Sequence, residues 1–174
     1  MRRRPGRALP GALAAIVAVA LLNPPALAQE TLHATHGDWV VLRSPEGGCQ
    51  MRSTILSRES GAILLEMILR PHPDGAPGAL VGLRAPVGVS LADGIAYRHP
   101  ETPDLAIGLE WQNCDAALCL AAGGISADAL DALRRGARVE VGFRPLPGSR
   151  PVRLPVSLRG VTAGWRSMAD CAGR

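Results

Sequence analysis

Near its C-terminal end this chain places an apolar side chain at every second position, twice over. Val139, Val141 and Phe143 alternate with Arg138, Glu140 and Arg144; Val152, Leu154, Val156 and Leu158 alternate with Arg153, Pro155, Ser157 and Arg159. Successive side chains of a strand point to opposite faces, so a period of two means one covered face and one wet face. Upstream, Cys49, Met51, Ser53 and Ile55 oppose Gln50, Arg52 and Thr54, while Leu105, Ile107, Leu109 and Trp111 oppose Ala106, Gly108, Glu110 and Gln112. A first strand is expected over 39–43 and a central one over 62–69, which is apolar apart from Glu66. Another is expected over 80–83, and Asp93-Gly94 reads as a hairpin turn. Turn-rich segments at 44–48, 71–77 and 145–151 punctuate these runs. Pro155 cannot donate to a ladder, so its strand belongs at an edge or carries a bulge. Many short strands with this inside/outside pattern predict an all-β, antiparallel sandwich.

One stretch departs from the period. Between Trp111 and Gly136, Cys114 and Cys119 bracket a four-residue turn, and Gly123-Gly124 reads as a break before a helix. Ser126 is a good N-cap, Gly136 a good residue just past the helix end, and Asp128, Arg134 and Arg135 suit the dipole. A second short helix is expected over 162–169.

The first 28 residues read as an export signal. Arg2, Arg3, Arg4 and Arg7 precede an apolar run over 12–22, and Ala26-Leu27-Ala28 is a small-x-small site that would be cut between Ala28 and Gln29. The run is too short to span a bilayer, so no stable transmembrane segment is expected after the cut. The remaining residues, 29–174, have the length of one domain, and 29–37 is expected to be a mobile leader. All four cysteines lie in this part, and export carries them to an oxidising compartment. The favoured pairing is Cys114 with Cys119, which leaves Cys49 with Cys171. The rival is that Cys49 and Cys171 stay free or pair between molecules.

Charge narrows the partners. The chain holds 19 basic and 15 acidic residues, but four of the arginines fall in the signal, so the exported part is balanced. Net charge then favours neither nucleic acid nor an anionic membrane. Catalytic equipment is thin as well. His72 with Asp74 and His99 with Glu101 sit beside prolines in turn-rich stretches, where solvated loop residues are the ordinary case. His33 and His36 could grip a metal only on a helix, and no third ligand is in view. Cys114 and Cys119 have the wrong spacing for a thiol oxidoreductase. We therefore expect no enzyme, no cofactor, no metal and no catalytic residue.

Taken in order, five segments carry a family resemblance. They are Gly37-Asp38-Trp39, Gly48-Cys49-Gln50-Met51, the run Leu83-Arg84-Ala85-Pro86-Val87-Gly88-Val89, the Cys114-x4-Cys119 clip with its Leu-rich helix, and Leu154-Pro155-Val156-Ser157-Leu158-Arg159-Gly160. Together they resemble the invasion-associated locus B family of exported bacterial proteins across nearly all of 29–174. The resemblance implies an immunoglobulin-like β-sandwich with one or two short helices, located in the periplasm, on the outer-membrane surface or secreted. It also implies no known catalytic activity, and a link to host-cell entry in pathogens. The partner expected is an envelope or host macromolecule; a periplasmic small-molecule binding module is the alternative. Related chains usually carry a Cys where Arg43 stands here, which fits a disulfide rerouted to Cys171.

Overall fold

The computed structural model describes residues 29–101 and 106–172. The export signal with Ala28, and Leu105 of the predicted alternation, lie outside them. The strands are β1 (Thr31–His36), β2 (Trp39–Arg43), β3 (Cys49–Leu56), β4 (Ile63–Arg70), β5 (Ala79–Pro86), β6 (Ile95–Arg98), β7 (Ala106–Cys114), β8 (Leu118–Ile125), β9 (Arg138–Phe143) and β10 (Val152–Ser157). Helix α1 (Ala127–Arg135) separates β8 from β9, and α2 (Val161–Ala172) follows β10.

All neighbours pair antiparallel, in the order β1-β2-β3-β4-β5-β8-β7-β6-β9-β10. The sheet folds over on itself at β7, which pairs with β8 in one layer and β6 in the other. One core fills the space between. Trp39, Met51, Leu65, Met67, Val81 and Leu83 from the larger layer share a cluster with Tyr97, Val139, Val141 and Val156 from the smaller one. The architecture is an all-β, antiparallel, immunoglobulin-like sandwich with two helices. The likeness lies in its two layers around one core, and the connectivity is mostly that of a meander.

Several local expectations need correction. The stretch expected to be a mobile leader contains β1, paired along β2. Its register shifts between Leu32 and Ala34, which erases the alternation that would have marked it. Gly123-Gly124 is no break, because β8 runs through both. Their lack of side chains admits neighbours: a Cβ on Gly123 would sit 3.2 Å from Leu109, and one on Gly124 would sit 3.2 Å from His72. Asp93-Gly94 turns the chain without making a hairpin. Residues 87–94 cross between the layers, and β6 pairs with β7 and β9. Pro155 lies on the terminal strand of the order, the edge position expected for a residue without an N–H.

The helices follow their caps. Ser126 accepts from the Ala129 amide at 3.2 Å. Gly136 has an ordinary φ of −71°, so its glycine character serves packing instead: a Cβ there would lie 2.9 Å from Leu158 and 3.1 Å from the Ala132 carbonyl. Helix α2 runs further than expected and carries Val161, Met168 and Cys171 into the core.

Tyr97 is buried between the layers, and its hydroxyl finds no hydrogen-bond partner among the described residues. Burial pushes its pKa up to about 12. The fold thus favours the neutral phenol, whereas the unfolded chain ionises near 10. Above about pH 10 the unfolded chain has lost a proton the native one keeps, so stability should fall as pH rises from 10 towards 12. Tyr97 is the chain's one tyrosine, so absorbance titration reads it directly. The expected midpoint is about 12 in the native protein and about 10 in denaturant. Native ionisation near 10 would show that water reaches the ring.

Candidate functional site: a cleft between the layers

At one end of the sandwich the two layers leave an apolar cleft of about 400 Å³. Leu64, Phe143, Val152 and Leu154 line its interior, residues 86–89 form one wall, and Pro145 with Leu146 forms the other. Each piece has a local cause. Ile55 pairs with Leu65 and Leu56 with Ile63, so Leu64 is the extra residue of a bulge. Pro86 ends β5, and the chain leaves for the other layer along the cleft edge.

The opposite wall is a braced loop. Ser149 donates through its hydroxyl to the Leu146 carbonyl at 2.7 Å and through its amide to the same oxygen at 3.1 Å. Arg144 donates to the Ser149 carbonyl and lies 3.4 Å from Asp93. The Ser90 amide, on the crossing segment, donates to the Arg144 carbonyl at 2.8 Å and ties the two walls together. Val87 is 48% exposed and Leu146 61% exposed, so both walls present hydrocarbon to solvent. Among the described residues no charged side chain lines the cleft.

The candidate acid/base residues lie elsewhere and are not brought together. Asp74 accepts from the Ala76 amide at 3.1 Å and is spent on its own turn. His72 rests over Gly124, and His99 packs near Gly136. Neither histidine bonds to the carboxylate two residues on. His33 and His36 are on strand β1, not on a helix. Among the described residues no group of three or more His, Cys, Asp and Glu could hold a metal ion, and no helix is long and apolar enough to cross a membrane.

The cysteines fall at two structural joints. Cys114 and Cys119 are cross-strand register partners at the β7–β8 turn and are bonded to each other. Asp115 closes that turn, accepting from the Ala117 and Leu118 amides, both at 2.8 Å. Those two amides, and then the Arg84 guanidinium at 2.9 Å, hold its carboxyl below the usual carboxylate range. Arg84 also reaches the buried Glu66 at 2.9 Å, and Arg52 approaches Glu66 at 3.5 Å from the other side. Cys49, opening β3, is bonded to Cys171 in α2, with Cα atoms 6.2 Å apart. Arg43 sits opposite Cys49 in the ladder and donates to the Cys171 carbonyl. Gln29, on the far side of the predicted cut, is exposed.

Sequence reading missed the cleft. Its one visible signal was a lone leucine between prolines in a turn, Pro145-Leu146-Pro147.

Comparison with known proteins gives a consistent result. The profile of the invasion associated locus B (IalB) protein family matches residues 40–169. The chain is 29% identical over 136 residues to invasion protein B homologs of two Brucella abortus strains, 2308 and biovar 1 strain 9-941, covering 76% of this chain and 76% of each homolog. The crystal structure of invasion associated protein B from Bartonella henselae has the same fold, with a TM-score of 0.71 at 19% identity. It covers 83% of this chain and 100% of that one. The chain belongs to the invasion associated locus B family.

Proposed function

We propose that this is an exported, non-catalytic envelope protein that works by holding another molecule against the cleft between its layers. Residues 29–174 form the single working domain once 1–28 are removed, in the periplasm, on the outer-membrane surface or outside the cell. The cleft itself carries this reading: braced apolar walls stand open to water where a folded chain would ordinarily bury them. Kinship with proteins named for invasion supports an envelope or host macromolecule as the partner. A small-molecule ligand is the second reading, since about 400 Å³ lies within the ordinary size range of ligand pockets.

A photocrosslinking amino acid placed at Leu146 in intact cells tests the first reading. A discrete adduct is expected there and not at Arg166, on the exposed side of α2. Equal labelling at both positions would mean that the cleft recruits nothing. A ligand screen by thermal shift tests the second, because a specific ligand raises the melting temperature with concentration. Mass spectrometry of non-reduced peptides from exported protein checks the start at Gln29 and both cysteine pairings.

A further inference from the structure

We infer that the cleft takes the hydrocarbon chain of an anionic lipid, with the β9–β10 loop resting on the lipid surface. The inference builds on the cleft reading above and names its occupant. Three observations converge on it. The lining is hydrocarbon from both layers, with no polar side chain among the described residues to pair a peptide's amides and carbonyls, and an acyl chain needs no such pairing. Five large apolar side chains are strongly exposed among the described residues; two of them, Val87 and Leu146, stand on the cleft walls, and a third, Leu91, lies two residues beyond one wall. The loop of residues 144–151 also has the order an interfacial loop requires. Leu146 opens its turn, exposed between two prolines, with Arg144 before it and Arg150 after it.

The charges differ in availability. Arg144 is held by Asp93. Arg150 is exposed and has no carboxylate partner among the described residues, so its guanidinium is free to meet a headgroup phosphate. A cation on a long stem near an exposed apolar side chain can sit at headgroup level while that side chain enters the acyl region. The bonds among Arg144, Leu146 and Ser149 hold the loop in shape beforehand, so little ordering entropy is lost on contact.

The test is flotation of the exported chain with vesicles of phosphatidylglycerol or of phosphatidylcholine, alongside the crosslinking at position 146. Binding to phosphatidylglycerol vesicles is expected, weakened by salt and much weaker on phosphatidylcholine. Leu146→Asp should weaken it about tenfold or more. Arg150→Glu should weaken it about fivefold or more. Arg166→Glu, the same charge change on α2, should leave it within about twofold. All three positions are exposed, so melting temperatures should stay near that of the parent. Vesicle binding indifferent to Leu146→Asp and Arg150→Glu overturns the inference. So does failure to float when position 146 still yields a discrete protein adduct in cells, which leaves the cleft reading standing. Failure of both flotation and crosslinking overturns the two together.

Discussion

Replacing Cys49 and Cys171 together by serine is expected to lower the unfolding free energy by about 5 kcal/mol. The figure follows from loop closure, since the bonded residues are 122 apart in sequence and the unfolded chain gains that whole loop's freedom when the link is cut. The Cys114–Cys119 link closes a separation of 5, for which the same reasoning gives about 2 kcal/mol. Native contacts add to the contrast. Cys171 is buried on α2, whose Val161 and Met168 also enter the core against the larger layer. Arg43 donates to the carbonyl of Cys171 itself, so loss of the link frees the end of a helix that the strand beneath is built to receive. Against a typical domain stability of about 5–15 kcal/mol, such a loss would bring the protein near its folding threshold. Urea denaturation of the parent and of each double-serine variant measures both terms. A Cys49/Cys171 variant within about 1 kcal/mol of the parent would show that the unfolded chain is already constrained there, or that the pair is not bonded.

The sequence was most legible where a strand has one covered face. In β3, β7, β9 and β10 the alternation marks which side chains enter the core: Met51, Leu109, Val139, Val141, Phe143 and Val156 are all buried. Helix α1 was legible through its end residues, because Ser126 does cap an amide. What stayed hidden depends on partners distant in sequence. Strand β1 is an edge whose bulge scrambles its period, so nothing local distinguished it from a leader. Gly123 and Gly124 look like a break, yet they are strand residues kept small by Leu109 and His72. At 93–94 the turn is local, but the identity of the next strand's neighbours is decided by the crossing between layers. The cleft was hidden for the same reason. Leu64 faces it through a bulge, while Val87 and Leu146 come from connections with no period to read.

Gly160→Ala should cost about 4 kcal/mol, whereas Gly148→Ala should cost about 1 kcal/mol, although both glycines have left-handed backbone. Their φ angles are +106° and +73°. A Cβ on Gly148 would meet nothing within 4 Å and would add only backbone strain. At Gly160 the same atom would run into the His36 carbonyl. The approach is reciprocal, because a Cβ on Gly37 would run into the carbonyl of Arg159. Two glycines therefore let the β1–β2 turn and the β10–α2 junction touch backbone to backbone. The Asp38 amide donates to the Arg159 carbonyl at 3.0 Å, and the fully buried Trp39 donates its ring N–H to the Ser157 carbonyl at 2.9 Å. Arg159 also grips the Asp38 carboxylate with two nitrogens, at 2.7 and 3.1 Å, but that pair is solvent-exposed and worth little by comparison. A methyl at Gly160 must push the turn away, losing the Asp38 bond and loosening Trp39, so the expected cost exceeds the strain alone. Denaturation of the two variants gives the difference, and Trp39 supplies an internal check, since only Gly160→Ala should alter tryptophan emission in the native state. Equal losses from the two substitutions would mean that the junction yields freely and that the two ends of the sheet are not locked together through it.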